Sequence, residues 1–166
     1  MKAQPKPVKA PKKKYKFKRK KVSKKTLTKK TLTKKTDNKK EERKRLEKEL
    51  LGLFSKIIHA IYHNKCACCD KAGTDAHHFF GKQAYPSVKY NTDNGILLCA
   101  GCHLFKVHRK GQTEMVRDAL INRIGLSRFE ALKKEANEVK RYKLPDLIDL
   151  KARLLAELAR SGIFIN

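Results

Sequence analysis

Apolar side chains recur every three to four residues in four stretches of the chain, which is the spacing of a helix that buries one face. The first stretch begins at Glu41, after the possible capping residues Asp37 and Asn38, and runs into the first cysteines. Its apolar positions are Leu46, Leu50, Leu53, Phe54, Ile57, Ile58 and Ile61. We predict a long amphipathic helix whose apolar stripe faces the core, with a dimer seam as the alternative.

The other three stretches lie nearer the C-terminus. The first starts after Thr113 as its cap and stops at Gly125, the second follows Ser127, and the third has Pro145 in its first turn. Their apolar positions are Val116, Leu120, Ile121 and Ile124, then Phe129, Leu132, Ala136 and Val139, then Leu147, Ile148, Leu150, Leu154, Leu155 and Leu158. The chain is therefore predicted to be mainly helical, with a non-helical stretch over residues 65–111.

Residues 1–40 have a different composition from the rest. They hold 19 Lys and Arg against one acid, Asp37, and contain the repeat KKTLT-KKTLT-KKT at 24–36. A segment with such dense positive charge and few apolar groups cannot bury enough surface to offset its chain entropy. We predict a disordered tail that binds phosphates nonspecifically, with a solubilising role as the alternative. The remaining residues, 41–166, then form one domain with three parts: an N-terminal helix (41–64), a cysteine-containing core (65–111) and C-terminal helices (112–166).

The chain of 166 residues has 42 Lys and Arg against 16 Asp and Glu, a net charge of +26. Such a charge indicates a polyanionic partner, and nucleic acid is the first candidate. No stretch approaches the roughly eighteen consecutive apolar residues of a membrane span, and the N-terminus lacks the apolar segment of a secretory signal. We therefore expect a cytoplasmic protein with no membrane partner.

The five cysteines form two groups, CACC at 66–69 and CAGC at 99–102. Each group contains a C-x-x-C pair, and four thiolates so arranged complete a tetrahedral zinc site with no open position. Such a site is structural, and the sequence therefore predicts a structural Zn²⁺. Its ligands are Cys66, Cys69, Cys99 and Cys102. Cys68 falls between the ligand positions, and we expect it to be a spare side chain.

Histidines lie between and just after these cysteine pairs. The segment DAHHFF at 75–80 contains His77 and His78, Asn94 opens the pattern N-x-x-x-L-C-x-x-C-H, and His103 closes it. A zinc site at the two pairs would hold these backbones together. Asn94 is followed by glycine, and Asn-Gly is also a strong turn signal, so a turn and a site role are both open to it.

The order HH, then N-x-x-x-L-C-x-x-C-H, resembles the HNH nuclease superfamily, whose site is a two-stranded ribbon and a helix around one catalytic metal. The resemblance implies an α+β fold with a small ββα-metal core, stapled by the four-cysteine zinc site within a mainly helical domain. By it, residues 75–80 form the first strand, residues 96–98 the second, and the helix begins near Cys99. A tighter resemblance, over about residues 53–158, is to the NinG/Rap recombination endonucleases of lambdoid phages, through DAHHF and the LINRIG stretch at 120–125.

This resemblance implies roles for the histidines and the asparagine. His77 and His103 bind a divalent catalytic metal, His78 is the general base, and Asn94 ties its loop to the strand that carries the base. Mg²⁺ or Mn²⁺ is the expected ion, with Zn²⁺ as the alternative. His108 is a candidate third ligand, although it lies five residues after His103 where such patterns place a third histidine four residues later.

Two further points concern the neighbouring residues. Adjacent residues of an ideal strand face opposite sides, so both His77 and His78 reach the site only if the strand is distorted or ends there. His59 and His63 are expected to be ordinary helix residues. Basic side chains near the motif are candidates for contacts with DNA phosphates, with a solvated surface as the alternative for each: Lys82, Lys89, Lys106, Arg109 and Lys110.

The expected function is thus that of a metal-dependent DNA endonuclease acting on branched recombination or replication intermediates of a phage, in the cytoplasm of the host cell. A symmetric homodimer is a possible state, because a junction resolvase makes two matched cuts. The alternative is a noncatalytic, zinc-stabilised nucleic-acid-binding protein. A ribosome-associated RNA-binding protein also suits the Lys-rich tail, but it leaves the order of the histidines and Asn94 unexplained.

Overall fold

The structure, a computed structural model, describes the backbone of residues 24–161 and the side chains of residues 38–161. Its helices and strands, in order, are α1 (Lys24–Ile61), β1 (Asp75–His78), β2 (Gly95–Leu98), a π-helix (Gly101–Arg109), α2 (Glu114–Ile124), α3 (Leu126–Ala136) and α4 (Leu144–Arg160). Two short 3-10 turns, Pro86–Val88 and Thr92–Asn94, lie between the strands. The fold is thus mixed, with a two-stranded sheet among helices, as the sequence predicts.

Helix α1 begins at Lys24, well before the predicted start at Glu41. The disorder predicted for residues 1–40 is therefore corrected for residues 24–40, whereas residues 1–23 lie outside the described residues. The repeat at 24–36 contains neither Gly nor Pro, and each added residue extends the existing hydrogen-bond ladder of a helix, which explains the longer helix. By its internal contacts the chain divides after Asn38 into two units. The domain boundaries given above stay predictions.

The predicted apolar stripe of α1 is buried except at its last position, Ile61, which is 37% exposed. Two sides of this stripe pack against different elements. Residues Leu46, Leu50, Leu53 and Ile57 share a core with Tyr90 and with Leu147, Leu154 and Leu158 of α4. Phe54 and Ile58 pack against Leu97 of β2. Helix α1 thus supports the sheet on one side and α4 on the other.

The two strands are antiparallel, and His77 pairs with Ile96 while His78 pairs with Gly95. Strand β1 ends at His78, two residues before the predicted end. At Gly95 the backbone is extended, with φ −96°, so the Asn-Gly pair does not form a type I′ turn. A Cβ atom there would lie 2.2 Å from Ile58 Cδ1 and 2.8 Å from Phe54 Cζ. Glycine is therefore required for the close approach of β2 to α1.

Helices α2 and α3 are separated by a single residue, Gly125, with φ +82°. This glycine ends α2 as predicted, but α3 begins directly at Leu126 and is not capped by Ser127. The helix ends at Ala136, and the Nδ2 atom of Asn137 then donates to the carbonyl of residue 133. Val139, predicted on the buried stripe, consequently lies outside the helix and is 95% exposed.

Helix α4 has Pro145 in its first turn, as predicted, and the Asp146 carboxylate accepts a hydrogen bond from the Lys143 N–H at 2.7 Å. Ile148 and Leu155, which the sequence assigns to the apolar stripe of α4, are exposed to 53% and 37%. No helix among the described residues is both long and apolar enough to cross a membrane.

A histidine cluster beside a four-cysteine site

The two C-x-x-C pairs meet in space, as a zinc site requires. One follows α1, and the other joins the end of β2 to the π-helix. The four Sγ atoms of Cys66, Cys69, Cys99 and Cys102 all lie within 4.8 Å of one another, and all five cysteines are free. Cys69 Sγ is 3.6 Å from Cys99 Sγ and 3.5 Å from Cys102 Sγ. A tetrahedral zinc with Zn–S bonds of about 2.3 Å places its sulfurs about 3.8 Å apart, so the residues fit a structural Zn²⁺.

The thiols of Cys66, Cys68, Cys99 and Cys102 differ in how readily they ionise. The backbone N–H of Cys102 donates to Cys99 Sγ at 3.4 Å, and this bond lowers the pKa of Cys99 to about 7. Burial raises the pKa of Cys66 and of Cys102. Cys68 lies outside the cluster, with its Sγ 4.0 Å from the carbonyl of Met115, and burial raises its pKa to about 11. Cys99 thus supplies a thiolate more easily than Cys66 or Cys102.

Backbone hydrogen bonds attach the first cysteine pair to the sheet. The N–H of Cys66 donates to the carbonyl of Lys71 at 2.7 Å, and the N–H of Ala67 donates to the carbonyl of Leu97 at 2.9 Å. The cysteine site therefore joins the end of α1, the strand β2 and the start of the π-helix.

Three histidines form a second cluster on the strand β1 and the π-helix. The ring nitrogens of His77, His103 and His108 lie within 4.8 Å of one another. The Nε2 atoms of His103 and His108 are 3.1 Å apart, and the rings of His77 and His103 have centroids 4.9 Å apart. The chemistry of this donor set fits a transition metal, because neutral imidazole is a common ligand for such ions.

His108 joins the cluster because the helix that carries it is a π-helix. In an α-helix, residues five apart point about 140° away from each other. The π-helix closes hydrogen bonds from residue i to residue i+5, and here the Lys110 N–H donates to the Phe105 carbonyl at 3.1 Å. This wider winding brings residue 108 beside residue 103, which the sequence spacing alone left open.

Burial and a nearby carboxylate both act on the imidazoles of this cluster. Burial lowers the pKa of His77 to about 4, with a further contribution from the neighbouring His103 and His108, so this imidazole is neutral at pH 7. The Asp75 carboxylate lies 3.5 Å from His103 Nδ1 and accepts a hydrogen bond from Thr74 at 2.9 Å. Sequence reasoning missed this role of Asp75. Its signal was the position two residues before His77, on the same face of the strand.

His78 is the last residue of β1, and this end position lets it share a cavity with its neighbour His77. Its Nε2 lies 2.9 Å from the Lys89 carbonyl, and its ring stacks on Phe54 at a centroid distance of 4.2 Å. Because a carbonyl only accepts, Nε2 carries the hydrogen, and Nδ1 is left as an acceptor. Burial lowers the pKa of His78, against the opposing effect of that hydrogen bond.

The cavity beside β1 has a volume of about 420 Å³. The four histidines line it together with Asp75 and Lys82. A proton acceptor, a three-imidazole cluster and a cation thus face one space that is open to solvent.

Asn94 is fully buried and connects three backbone segments. Its Oδ1 accepts from the Phe80 N–H at 2.7 Å, and its Nδ2 donates to the carbonyls of Phe80 at 2.9 Å and Val88 at 3.2 Å. The asparagine therefore fixes the chain directly after the strand that carries His78.

Comparison with known families shows which family the chain belongs to. The family described as "Bacteriophage Lambda NinG protein" matches residues 2–161. The chain belongs to the NinG family. No curated protein and no solved structure matched it.

The LINRIG stretch, which carries part of the resemblance to the NinG family, has a structural reason to lie beside the site. Arg123 from this stretch donates to the carbonyls of Thr92 at 3.0 Å and Asp93 at 2.8 Å, the two residues before Asn94. The Asp93 carboxylate also pairs with Arg128 of α3 at 2.6 Å. Sequence reasoning missed both arginines, because their partners lie about thirty residues away.

The five basic residues predicted to contact DNA have different surroundings. Lys82 lines the cavity. The Lys89 Nζ lies 3.7 Å from the Glu47 carboxylate and over the Tyr90 ring, so its side chain is already engaged. Lys106 is half-buried against Met115. Arg109 and Lys110 are exposed at the end of the π-helix.

The remaining histidines lie outside the cluster, as expected. The Nδ1 of His59 is 2.8 Å from the Asn64 side chain. The sequence places His63 on the helix, but in the structure this residue lies in the turn after α1, with φ +49°.

Proposed function

We propose that this NinG-family chain is a metal-dependent DNA endonuclease of the HNH type. The observation that carries the proposal is His78. A half-buried imidazole, oriented by a backbone carbonyl and with Nδ1 free to accept a proton, lines the same cavity as three further histidines. A protein that only binds nucleic acid has no use for such an acceptor beside a metal-ligand cluster.

The surrounding elements support the same proposal. Strand β1 and the π-helix carry the four histidines, and β2 lies between them in the chain, so the elements follow the order β1, β2, helix of a ββα-metal core. The four-cysteine site lies where β2 meets the π-helix, so a structural zinc would fix the π-helix, which carries His103 and His108, to β2, which pairs with the strand β1 that carries His77. In this proposal the cysteines hold a structural zinc and the histidines hold a separate catalytic ion.

The ligands we propose for the catalytic ion are His77, His103 and His108, with Asp75 orienting His103 through its Nδ1. A divalent cation bound there would stabilise the charge on the attacked phosphate and on the leaving oxygen. Three imidazoles favour a transition metal such as Zn²⁺ over Mg²⁺, which prefers oxygen ligands. The donor set thus shifts our proposal away from Mg²⁺, which the sequence placed first with Mn²⁺.

The residues of the chain supply the proton transfer and the positioning. His78 Nδ1 takes a proton from water as its oxygen attacks phosphorus, and the bond from phosphorus to the 3′ oxygen breaks. Lys82 on the cavity wall balances the phosphate charge. Asn94 and Arg123 hold the backbone around His78 and act only as positioning residues.

Membership of the phage NinG family is consistent with a role related to recombination. We therefore propose branched recombination or replication intermediates as substrates, with a homodimer as the form that makes paired cuts.

The test is cleavage of linear, nicked, flapped and four-way DNA by the purified full-length chain, with Mn²⁺, Zn²⁺ or Mg²⁺ added. We expect cleavage that depends on the added metal and is fastest on branched DNA. A protein that binds these DNAs but cuts none of them with any metal would overturn the proposal and favour the noncatalytic binding protein.

A further inference from the structure

The π-helix exposes two large apolar side chains directly after His103. Leu104 is 52% exposed and Phe105 is 53% exposed. The opposite side of this helix is anchored in the core through the buried Cys102 and Val107. The exposed pair is therefore held on a rigid element, one and two residues from a proposed metal ligand, and is not needed to fill the core.

Cations surround this pair. The guanidinium of Arg109 lies 4.9 Å from the centroid of the Phe105 ring. Lys110 is exposed next to it, and the whole chain carries +26. An exposed aromatic ring stacked with an arginine and placed among basic residues has the chemistry that binds a nucleic-acid base, because every base presents a π-face and a phosphate follows it.

We propose that Phe105, supported by Leu104, packs against a DNA base that is unpaired or unstacked near the cleaved phosphate. The inference rests on the proposed function for the position of the cut, but the contact itself needs no catalysis. Within continuous duplex the bases are stacked and cannot receive the ring without a cost of unstacking. The pair therefore selects DNA with unpaired bases over continuous duplex.

The positive charge around Leu104 and Phe105 favours DNA as the partner of this pair. A protein partner for an apolar pair flanked by Arg109 and Lys110 would need acidic residues around an apolar pocket, whereas DNA offers both the anion and the flat apolar surface in each nucleotide. A second copy of this chain would bring further positive charge to the same face.

The test measures affinity without cleavage. The full-length chain with its zinc is titrated, with no other divalent metal added, into continuous duplex and into the same duplex with a short unpaired gap, by fluorescence anisotropy. We expect wild type to prefer the gapped DNA, and Phe105→Ala to weaken binding to gapped DNA by about 5- to 100-fold while leaving duplex affinity nearly unchanged. Phe105→Trp keeps the preference. Leu126→Ala, a control at a residue that is 61% exposed on another helix, changes neither affinity.

Zinc content and thermal melting of each variant establish that it is folded. A Phe105→Ala protein that still prefers gapped DNA as wild type does would overturn the inference. So would a variant that keeps the preference but changes the oligomeric state in sedimentation, because the pair would then contact a second copy. Loss of cleavage by wild type with every metal would instead count against the proposed endonuclease and leave the affinity result standing.

Discussion

Two contacts fix the side chain of His78, one to its ring plane and one to its proton. Stacking on Phe54 holds the plane, and the hydrogen bond to the Lys89 carbonyl holds the hydrogen on Nε2. A general base needs both constraints, since a wrongly placed hydrogen would block the atom that accepts the proton.

The lowered pKa of His78 predicts the acidic limb of the rate profile. Burial disfavours the protonated ring and lowers its pKa, so the ring stays neutral at pH values below the ordinary histidine pKa of 6.5. We expect the single-turnover cleavage rate to be constant near pH 7 and to fall as the pH drops below about 6.5, because protonated His78 cannot accept a proton. Rates are measured at saturating metal at each pH, so that loss of the ion does not contribute. An acidic limb centred well above pH 7 would contradict this account.

Arg123 links the helical part of the domain to the site. Its guanidinium donates to two carbonyls just before Asn94, and the Asn94 side chain in turn binds the segment after β1. Helix α2 thereby holds the loop whose Asn94 fixes the segment directly after His78.

This link predicts the effect of Arg123→Lys, which keeps the charge but cannot bind both carbonyls in the same geometry. We expect cleavage to fall by about ten- to a hundredfold, with DNA affinity preserved, because the loop shifts relative to His78. Arg117→Lys on the same helix is the control, since Arg117 is exposed and forms ion pairs with its helix neighbours Glu114 and Asp118. Equal activity of the two variants would contradict the link.

The four-cysteine site predicts different effects for neighbouring cysteines. Cys66→Ser should release the zinc and lower the melting temperature by more than about 10 °C, because structural zinc contributes folding free energy directly. Cys68→Ser should keep the zinc content of the wild type, since Cys68 lies outside the cluster. Metal analysis and thermal melting check both. Zinc retained by the first variant and lost by the second would reverse the ligand assignment.

Sequence predicted those features that depend on local spacing. Short sequence patterns were enough to find the two cysteine pairs, the order of the histidines and the apolar stripe of α1. In the structure four of the cysteines lie together, three of the histidines lie together, and the stripe is buried except at Ile61. Features that depend on distant partners were missed. Arg123 meets Asp93 across thirty residues, and Gly95 is needed for space against α1 and not for a turn.

The winding of the helix that carries His103 was a further feature hidden from the sequence. The resemblance to the HNH superfamily implies a helix near Cys99 but not its winding, and the chain adopts a π-helix over Gly101–Arg109. Only this winding brings His108 to the cluster. The third member of the cluster therefore depends on the type of helix, which the five-residue spacing alone does not reveal.

At the scale of the whole molecule, positive charge is concentrated in the N-terminal residues. Residues 1–38 hold 17 Lys and Arg against Asp37 alone. The described residues from 39 onwards contain both metal-ligand clusters and the cavity. The densest positive charge and the candidate metal-binding residues thus belong to different parts of the chain.

Deleting residues 1–38 should therefore weaken DNA binding and reduce its salt dependence, while the zinc content stays equal to that of the full-length chain. Each phosphate contact that is lost reduces the slope of log affinity against log salt by about 0.9. Anisotropy titrations at several salt concentrations measure the slope for the full and shortened chains. An unchanged slope would show that these lysines do not contact phosphates.

The central claim is that His78 accepts a proton beside a metal held by other histidines, and the most direct test is the single-turnover cleavage rate as a function of metal concentration. For His78→Ala we predict a rate lower by roughly two to four orders of magnitude at every metal concentration, with DNA binding retained. For His77→Ala we predict a loss that excess metal partly restores, and for the control His59→Ala, outside the cluster, the wild-type rate. A His78→Ala protein that cleaves like wild type would contradict the account.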